Sequence, residues 1–390
     1  MPLIVPVLLV GTSAISIFST DLFTPSLPHL PAYFGTRPAT VQLTMSLNLA
    51  AFAVAQLVHG PLADRFGRRI PILTGMVTFA LASIGCALAG SVESLILFRI
   101  LQGLTISAGS VVSMALIRDL WDEMAGARVL AAYGMAVAMA PAVGPIIGGY
   151  VYVHAGWQAN FWLMAALALP ATGALWRFLP ETRPPGPSRI RLRHAWRGYR
   201  RLLANRRYLG YTVAASMVMG GLYAFITEGP FLLIIRHGVA TQNYGYFQAS
   251  VVAAYFLGSL FANRAVGRLG IERVLRLGLG LQVVGALALF PVIWSGAETA
   301  LTITAVLFVY VLALGLVFSS APVRALNVAA GGGGSAAALL GASEMAFAAL
   351  GALAVGLLHD GTALPTAYAL GGSSILAVLA YVVSLRPRQR

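Results

Sequence analysis

The chain has 390 residues, 58% of them hydrophobic and 10% charged, with a mean hydropathy of +0.82. A soluble domain is about half apolar and about a quarter charged, so this composition excludes a soluble globular enzyme as well as a disordered or fibrous chain. At about 20 residues per membrane helix plus a loop, the length provides for roughly twelve spans. The net charge is +14, and all 26 basic residues are Arg. With no Lys, there is no Walker A lysine and no Schiff-base lysine. The lone Cys86 makes no internal disulfide and supports no Cys-rich metal site. The six His are scattered with no i, i+4 pair, so neither a metal nor a cofactor is expected.

Twelve apolar runs follow in order: Leu3–Phe23, Val41–His59, Ile70–Gly90, Leu95–Ile117, Val129–Val151, Ala159–Leu179, Tyr208–Ile235, Tyr246–Asn263, Val274–Trp294, Thr299–Ser319, Ala336–Leu358 and Leu364–Leu385. They are apolar all round rather than alternating, which reads as helices and not as a barrel. The first run lacks a basic leader, and Asp21 and Pro25 follow it in place of a cleavage site, so it is read as a retained span.

Placing the N-terminus in the cytoplasm puts 23 Arg on the inner side, nine of them between Arg183 and Arg207. Only Arg37 and Arg236 then lie outside, and Arg99 falls within a span. The positive-inside rule therefore predicts that both termini are cytoplasmic. This asymmetry accounts for the basic charge without a nucleic-acid partner.

The long loop Pro180–Arg207, with four Pro and nine Arg, divides the chain into a six-helix half at 1–179, a linker at 180–207 and a second six-helix half at 208–390. The linker reads either as a solvated, topology-enforcing segment or as a polybasic surface for anionic lipid. A repeat supports the division. Gly60-Pro-Leu-Ala-Asp64-Arg65-Phe-Gly67-Arg68-Arg69 follows span 2, and Asn263-Arg-Ala-Val-Gly267-Arg268-Leu-Gly270 follows span 8, with the acid lost. Two parallel six-helix halves suit an alternating-access transporter.

In the first copy, Gly60 and Gly67 permit a tight turn, and Arg65, Arg68 and Arg69 hold it at the inner surface, either as a stop-transfer cluster or as a latch. A latch would pair Asp64 with Arg118 or set it near the N-terminus of span 11, where Ser335 is a natural cap. Span 4 opens with Leu97-Phe-Arg99-Ile-Leu-Gln102-Gly103. Arg99, Gly103, Ser107 and Ser110 share one small polar face. Span 5 carries Pro141, Gly144, Pro145, Gly148 and Gly149, a density suited to a shaped helix that lets another approach closely. Span 1 ends in Thr20-Asp21-Leu-Phe-Thr-Pro25-Ser-Leu-Pro28.

The 60–69 loop resembles the G-x-L-x-D-R-x-G-R-R loop of the major facilitator superfamily. The span-4 arginine and the span-5 Gly/Pro run resemble the motifs of its proton-coupled antiporters, with Ala140 in place of the first Gly. The D-x-x-x-P-x-x-P run is similar to that of Bcr/CflA-type drug exporters, a group that includes bicyclomycin and chloramphenicol/florfenicol exporters. The resemblance implies an all-α fold of twelve helices in a bacterial inner membrane. It also implies a monomeric exporter of amphipathic drugs coupled to protons, with a latch that closes when the cavity opens outward.

Three acids, Asp21, Glu228 and Glu344, lie within or at the edge of spans, where charge usually faces a cavity or a partner. Helix arithmetic puts Glu344 about 12 Å into span 11, near the midplane. It puts Asp21 about 27 Å along span 1, in its outer third, and Arg99 about 6 Å from the outer end of span 4. Asp21 reads as a proton site or a helix-end acid, and Arg99 as its tuner or as a side chain snorkelling outward. Glu228 reads as a cavity acid or as an interfacial one where Gly229-Pro230 ends the helix. Glu344 is the expected substrate-facing acid, with a share in proton coupling. Asn48, Gln102 and Tyr133 are expected to offer hydrogen bonds to substrate. An endogenous metabolite or self-made toxin is the alternative cargo and a proton-coupled importer the alternative direction. A membrane enzyme is disfavoured because no catalytic pairing of His, Cys or acids is seen.

Overall fold

The computed structural model describes residues 4–182, 192–329 and 333–385, leaving aside the side chains at positions 64, 106, 110, 118, 192–195 and 333. The arginines at positions 183, 189, 191, 386, 388 and 390 lie outside the described residues. The described chain is helical throughout, and twelve helices are long and apolar enough to cross a membrane. In order they are span 1 (Ile4–Phe34), span 2 (Pro38–Ala63), span 3 (Arg69–Ala87), span 4 (Val92–Ile117), span 5 (Glu123–Ala155) and span 6 (Trp157–Phe178). Then come span 7 (Arg206–Arg236), span 8 (Thr241–Leu269), span 9 (Ile271–Trp294), span 10 (Ala300–Val328), span 11 (Gly334–Leu358) and span 12 (Leu364–Leu385). A linker helix, Leu192–Leu203, precedes span 7. Large apolar side chains such as Val7, Leu81, Leu97, Leu301 and Leu357 project outward, the reverse of a soluble surface.

Span 1 is longer than its apolar run. The α-helix ends at Asp21, and a 3-10 turn (Thr24–His29) and a short helix (Leu30–Phe34) carry it on. Pro25 and Pro31 sit in the first positions of those turns, where a missing N–H breaks no bond. The placement of Asp21 in the outer third is therefore corrected. It closes an 18-residue helix within a 31-residue span, close to the middle. Span 7 also continues past its proline: Phe231–Arg236 form a π-helical turn after Pro230. Gly229-Pro230 does not end the helix. Span 11 is helical from Gly333, so Ser335 lies inside it rather than capping it.

The chain forms two compact units. One is Met1–His194 with Thr241–Tyr246, and the other is Ala195–Ala240 with Phe247–Arg390. Each repeats the same internal pairings. In the first, span 1 packs on span 5, span 2 on span 4, and span 3 on spans 4 and 6. In the second, span 7 packs on span 11, and span 9 on spans 10 and 12.

The means of close approach repeat as well. On Gly148 of span 5, a Cβ would collide with the Leu22 carbonyl of span 1, and on Gly351 of span 11 it would collide with the Gly220 carbonyl of span 7. Gly103 of span 4 lies in the same way on the Asn48 carbonyl of span 2, and Gly315 of span 10 on the Tyr255 carbonyl of span 8. Helix pairs in lipid associate through such close backbone packing because hydrophobic burial gives them no advantage over lipid. Gly148→Ala and Gly351→Ala should each cost about 1–3 kcal/mol of stability, read as a lower thermal midpoint of the purified protein. Gly280→Ala, where a Cβ meets nothing within 4 Å, should leave the midpoint unchanged or raise it. Three equal midpoints would show that these glycines are not contact-limiting.

Candidate functional site

In the first unit the Arg99 side chain is wholly buried, so the snorkelling reading is set aside. Its Nη1 donates to the Ser19 carbonyl at 2.9 Å and to Gln102 Oε1 at 2.9 Å, and its Nε donates to the Thr44 carbonyl at 3.4 Å. The guanidinium carbon lies 5.3 Å from the centre of the Phe23 ring and 6.0 Å from that of Phe161. Every group it touches is neutral. A buried guanidinium satisfied by carbonyls and an amide keeps its charge without an ion pair.

Asp21 is buried to 2% exposure. Its carbonyl accepts from Thr24 Oγ1 at 2.8 Å. Its carboxylate makes neither an ion pair nor a hydrogen bond among the described residues, and the field of Arg99 reaches it without contact. The buried Tyr244 is within electrostatic reach as well.

Span 5 explains why this acid stays put. A Cβ on Gly144 would sit 2.9 Å from Asp21 Cβ, and Gly148 lies against the Leu22 backbone. Asn160 Nδ2 bridges the Gly148 carbonyl at 3.3 Å and Ser26 Oγ at 3.0 Å. Gly149 packs on Thr241, whose hydroxyl hydrogen-bonds His29 Nε2 at 3.0 Å, while His29 stacks on Tyr152. Pro141 and Pro145 lie inside an unbroken helix. The Gly/Pro run is thus the face on which span 5 meets span 1 at Asp21.

The neutral polar residues turn towards the frame. Asn48 Nδ2 donates to the Arg99 carbonyl at 2.7 Å, and Gln102 Nε2 donates to Ser83 Oγ at 2.8 Å. Both are fully buried, and the Asn48 amide N–H and both ends of the Gln102 amide hold Arg99 and its helix, while Asn48 Oδ1 has no hydrogen-bond partner among the described residues. Tyr133 is nearly buried beside Ser13. The polar face of span 4 packs on span 2: Gly103 lies on Asn48, and Ser107 Oγ hydrogen-bonds His59 Nδ1 at 2.6 Å. The Ser110 side chain lies outside the described residues.

At the loop after span 2, Gly67 adopts φ +91°, a left-handed conformation that glycine permits. Glu181 fills the space beside it and accepts from the backbone N–H of Arg68 at 2.9 Å and of Arg69 at 3.2 Å, capping span 3. Arg68 Nε pairs with Asp119 at 3.3 Å, Arg69 donates to the Trp176 carbonyl, and Arg65 lies over Phe66. Gly60 meets nothing within 4 Å. The Asp64 and Arg118 side chains, and hence their expected pairing, lie outside the described residues. Glu181 and Asp119 were not singled out from sequence. The signal is present in the sequence, since they are two of only twelve acids and both flank basic loops.

In the second unit, Glu344 is half-buried at the middle of span 11, with Tyr208 and Tyr255 within electrostatic reach. It has neither an ion pair nor a hydrogen bond among the described residues. Glu228 differs. It is wholly buried, and its Oε1 hydrogen-bonds His359 Nδ1 at 2.6 Å. Arg236 nearby clasps Glu298 through Nε at 2.8 Å and Nη2 at 3.1 Å. Among the described residues no cluster of His, Cys, Asp or Glu could hold a metal ion.

Among the described residues, twelve apolar helices in two internally repeating units, with mid-helix acids that have neither an ion pair nor a hydrogen bond there, define a polytopic transporter. A family model described as Major Facilitator Superfamily matches residues 9–352, and the chain belongs to that family. It is a multi-pass membrane protein and a transporter rather than an enzyme. It is 32% identical to the chloramphenicol resistance protein of Pseudomonas aeruginosa over 88% of this chain and 82% of that one. It is 30% identical to the bicyclomycin resistance protein homolog of Haemophilus influenzae over 93% and 92%. It is also 30% identical to the multidrug transporter MdfA of Yersinia pestis over 80% and 77%. In fold it is similar to a bacterial homologue of the human lysosomal transporter Spinster, with a TM-score of 0.76 at 17% identity over 97% and 95% of the two chains. It is also similar to the xylose transporter XylE of E. coli, with a TM-score of 0.73 at 14% identity over the same shares.

The Glu228 hydrogen bond, with the charges of Glu228 and Asp360, raises the His359 pKa above its ordinary value against the opposing effect of burial. A group raised on folding contributes stability that is complete below its unfolded pKa of about 6.5 and is lost as pH rises through the folded value. The thermal midpoint of the wild-type protein should therefore fall as pH rises above about 6.5. His359→Gln, which can still donate to Glu228, should lose that component of the fall. An unchanged pH slope in His359→Gln would show that the pair does not titrate.

Proposed function

We propose that this chain exports small amphipathic drugs from the bacterial cytoplasm across the inner membrane in exchange for protons, as a monomer working by alternating access. Its two six-helix halves, 1–179 and 208–390, are joined by the linker 180–207, and both termini are cytoplasmic. The names of its relatives support drugs as cargo, and the 23 Arg on one side of the span count support the orientation.

The observation that carries the coupling is a buried carboxylate with no hydrogen-bond donor among the described residues, set near a buried guanidinium whose own bonds there are all to neutral groups. Taking up a proton discharges Asp21 and leaves Arg99 as the only charge there. Losing the proton restores two opposite charges in a medium that screens them weakly. The two states therefore differ in the force between spans 1 and 4. Gly144 and Gly148 put the backbone of span 5 directly on the residues that move. Asn48 and Gln102 act as positioning residues for Arg99. A drug that binds the deprotonated form better drives proton release, and the converse follows by linkage. Glu344, unpaired among the described residues and flanked by tyrosines, is the acid that a cationic substrate meets. The loop after span 2, with Asp64 and the arginines around it, is the latch.

Asp21→Asn keeps the shape and removes the titratable group. It should abolish proton-gradient-driven drug uptake into inverted vesicles, down to the level of protein-free vesicles, while the protein still purifies as a folded monomer. Wild-type uptake by this variant ends the assignment.

Glu344→Gln keeps hydrogen-bonding capacity and loses the charge. Affinity for lipophilic cations should drop by about tenfold or more, at least about 1.4 kcal/mol, while neutral drugs are largely retained. An equal loss for both kinds would make Glu344 a coupling acid instead.

A further inference from the structure

At one end of the second unit lies a cavity of about 410 Å³ lined by Arg207, Tyr211, Glu272, Arg276, Arg324, Val328, Tyr381 and Leu385. Its place along the helices is specific. Arg207 is the second residue of span 7 and Glu272 the second of span 9, while Val328 and Leu385 are the last residues of spans 10 and 12. The cavity therefore opens where four membrane helices end together, at headgroup depth.

Its charge is divided unevenly. Glu272 is fully engaged: Oε1 accepts from Arg324 Nε at 2.9 Å and from the Tyr211 hydroxyl at 2.5 Å, and Oε2 accepts from the Tyr381 hydroxyl at 2.8 Å. Arg324 is further held over the Tyr211 ring at 5.7 Å. This network neutralises one arginine and orients both tyrosines. Arg207 and Arg276 remain. Both are exposed, and neither guanidinium has an ion pair or a side-chain hydrogen bond among the described residues. Two unspent guanidiniums thus face one concave space beside an acid whose charge is already committed.

We infer that this cavity binds the phosphate headgroup of an anionic phospholipid. Guanidinium groups match phosphate oxygens by paired N–H donors, and basic pockets between membrane helices suit anionic headgroups. The position favours a lipid over a soluble phosphate ester. The wall includes Val328 and Leu385 at the apolar margin, where a glycerol backbone continues into acyl chains, and a bare phosphate would leave much of the volume to water. The site is remote in sequence from Asp21 and Arg99 and does not depend on the export reading.

The test is lipid retention by the purified full-length protein, measured by native mass spectrometry after reconstitution with phosphatidylglycerol or phosphatidylcholine. Phosphatidylglycerol should be retained in preference. Arg207→Gln and Arg276→Gln should each weaken that retention about fivefold, and the double variant about 25-fold. Arg37→Gln, an exposed arginine in the other unit, should leave it unchanged. The single variants keep the inference testable if the double variant misfolds. Equal retention of the two lipids, or retention unaffected by the two substitutions, overturns the site. Millimolar inorganic phosphate that protects the protein from heating through these same arginines, with no lipid preference, overturns the lipid as its source. Retention is read without transport, so a failure of the drug-export reading leaves this result standing, and the reverse.

Discussion

The pairings of spans 1 and 5, 2 and 4, 7 and 11, and 8 and 10 depend on helix backbones reaching one another through positions that carry no Cβ. In water, helices associate because burial removes apolar surface from solvent, but in lipid that incentive vanishes and contact distance decides. Gly148 on the Leu22 carbonyl and Gly351 on the Gly220 carbonyl are the same device in the two units, as are Gly103 on Asn48 and Gly315 on Tyr255. These contacts fix span 5 on span 1 and span 4 on span 2. Asp21 and Arg99 are placed by that framework and not by an attraction for each other.

The charges sort by position along the helices. Several near helix ends are paired, Arg68 with Asp119, Arg236 with Glu298 and Arg324 with Glu272, and the buried Glu228 is met by His359 just past the end of span 11. The two acids towards mid-helix, Asp21 and Glu344, have no such partner among the described residues. An ion pair at a helix end costs little because water is close, whereas an unpaired acid deep in a bundle costs much and is kept where it does work.

The two copies of the 60–69 repeat sit in different local networks. In the first, Glu181 reaches back from the end of span 6 to cap span 3 beside Gly67. In the second, the repeat keeps Gly267, Arg268 and Gly270 but loses its acid, and Glu272 at the start of span 9 gathers Arg324, Tyr211 and Tyr381 instead. Arg207 and Arg276 line the cavity beside that network.

The sequence by itself determined the class of the protein. Apolar runs report the membrane directly because the bilayer sets their length, and the few acids stand out against them. The sequence singles out Asp21, Arg99 and Glu344 as charged residues within apolar runs for that reason, and the family follows from the 60–69 loop and the span-5 run. Tertiary structure decided which hydrogen bonds were already taken. Asn48 and Gln102 look available on a helical wheel, yet both hold Arg99 or its helix, and Glu228 looks like a cavity acid until His359 closes over it from 131 residues away. Asp21 lies deeper than its apolar run implies because prolines that read as an end of span 1 begin new turns of it. Composition and periodicity are local properties that water and lipid impose on each segment alone. The partner of a buried polar group is set by which backbones come within a few ångströms, and that depends on every helix at once.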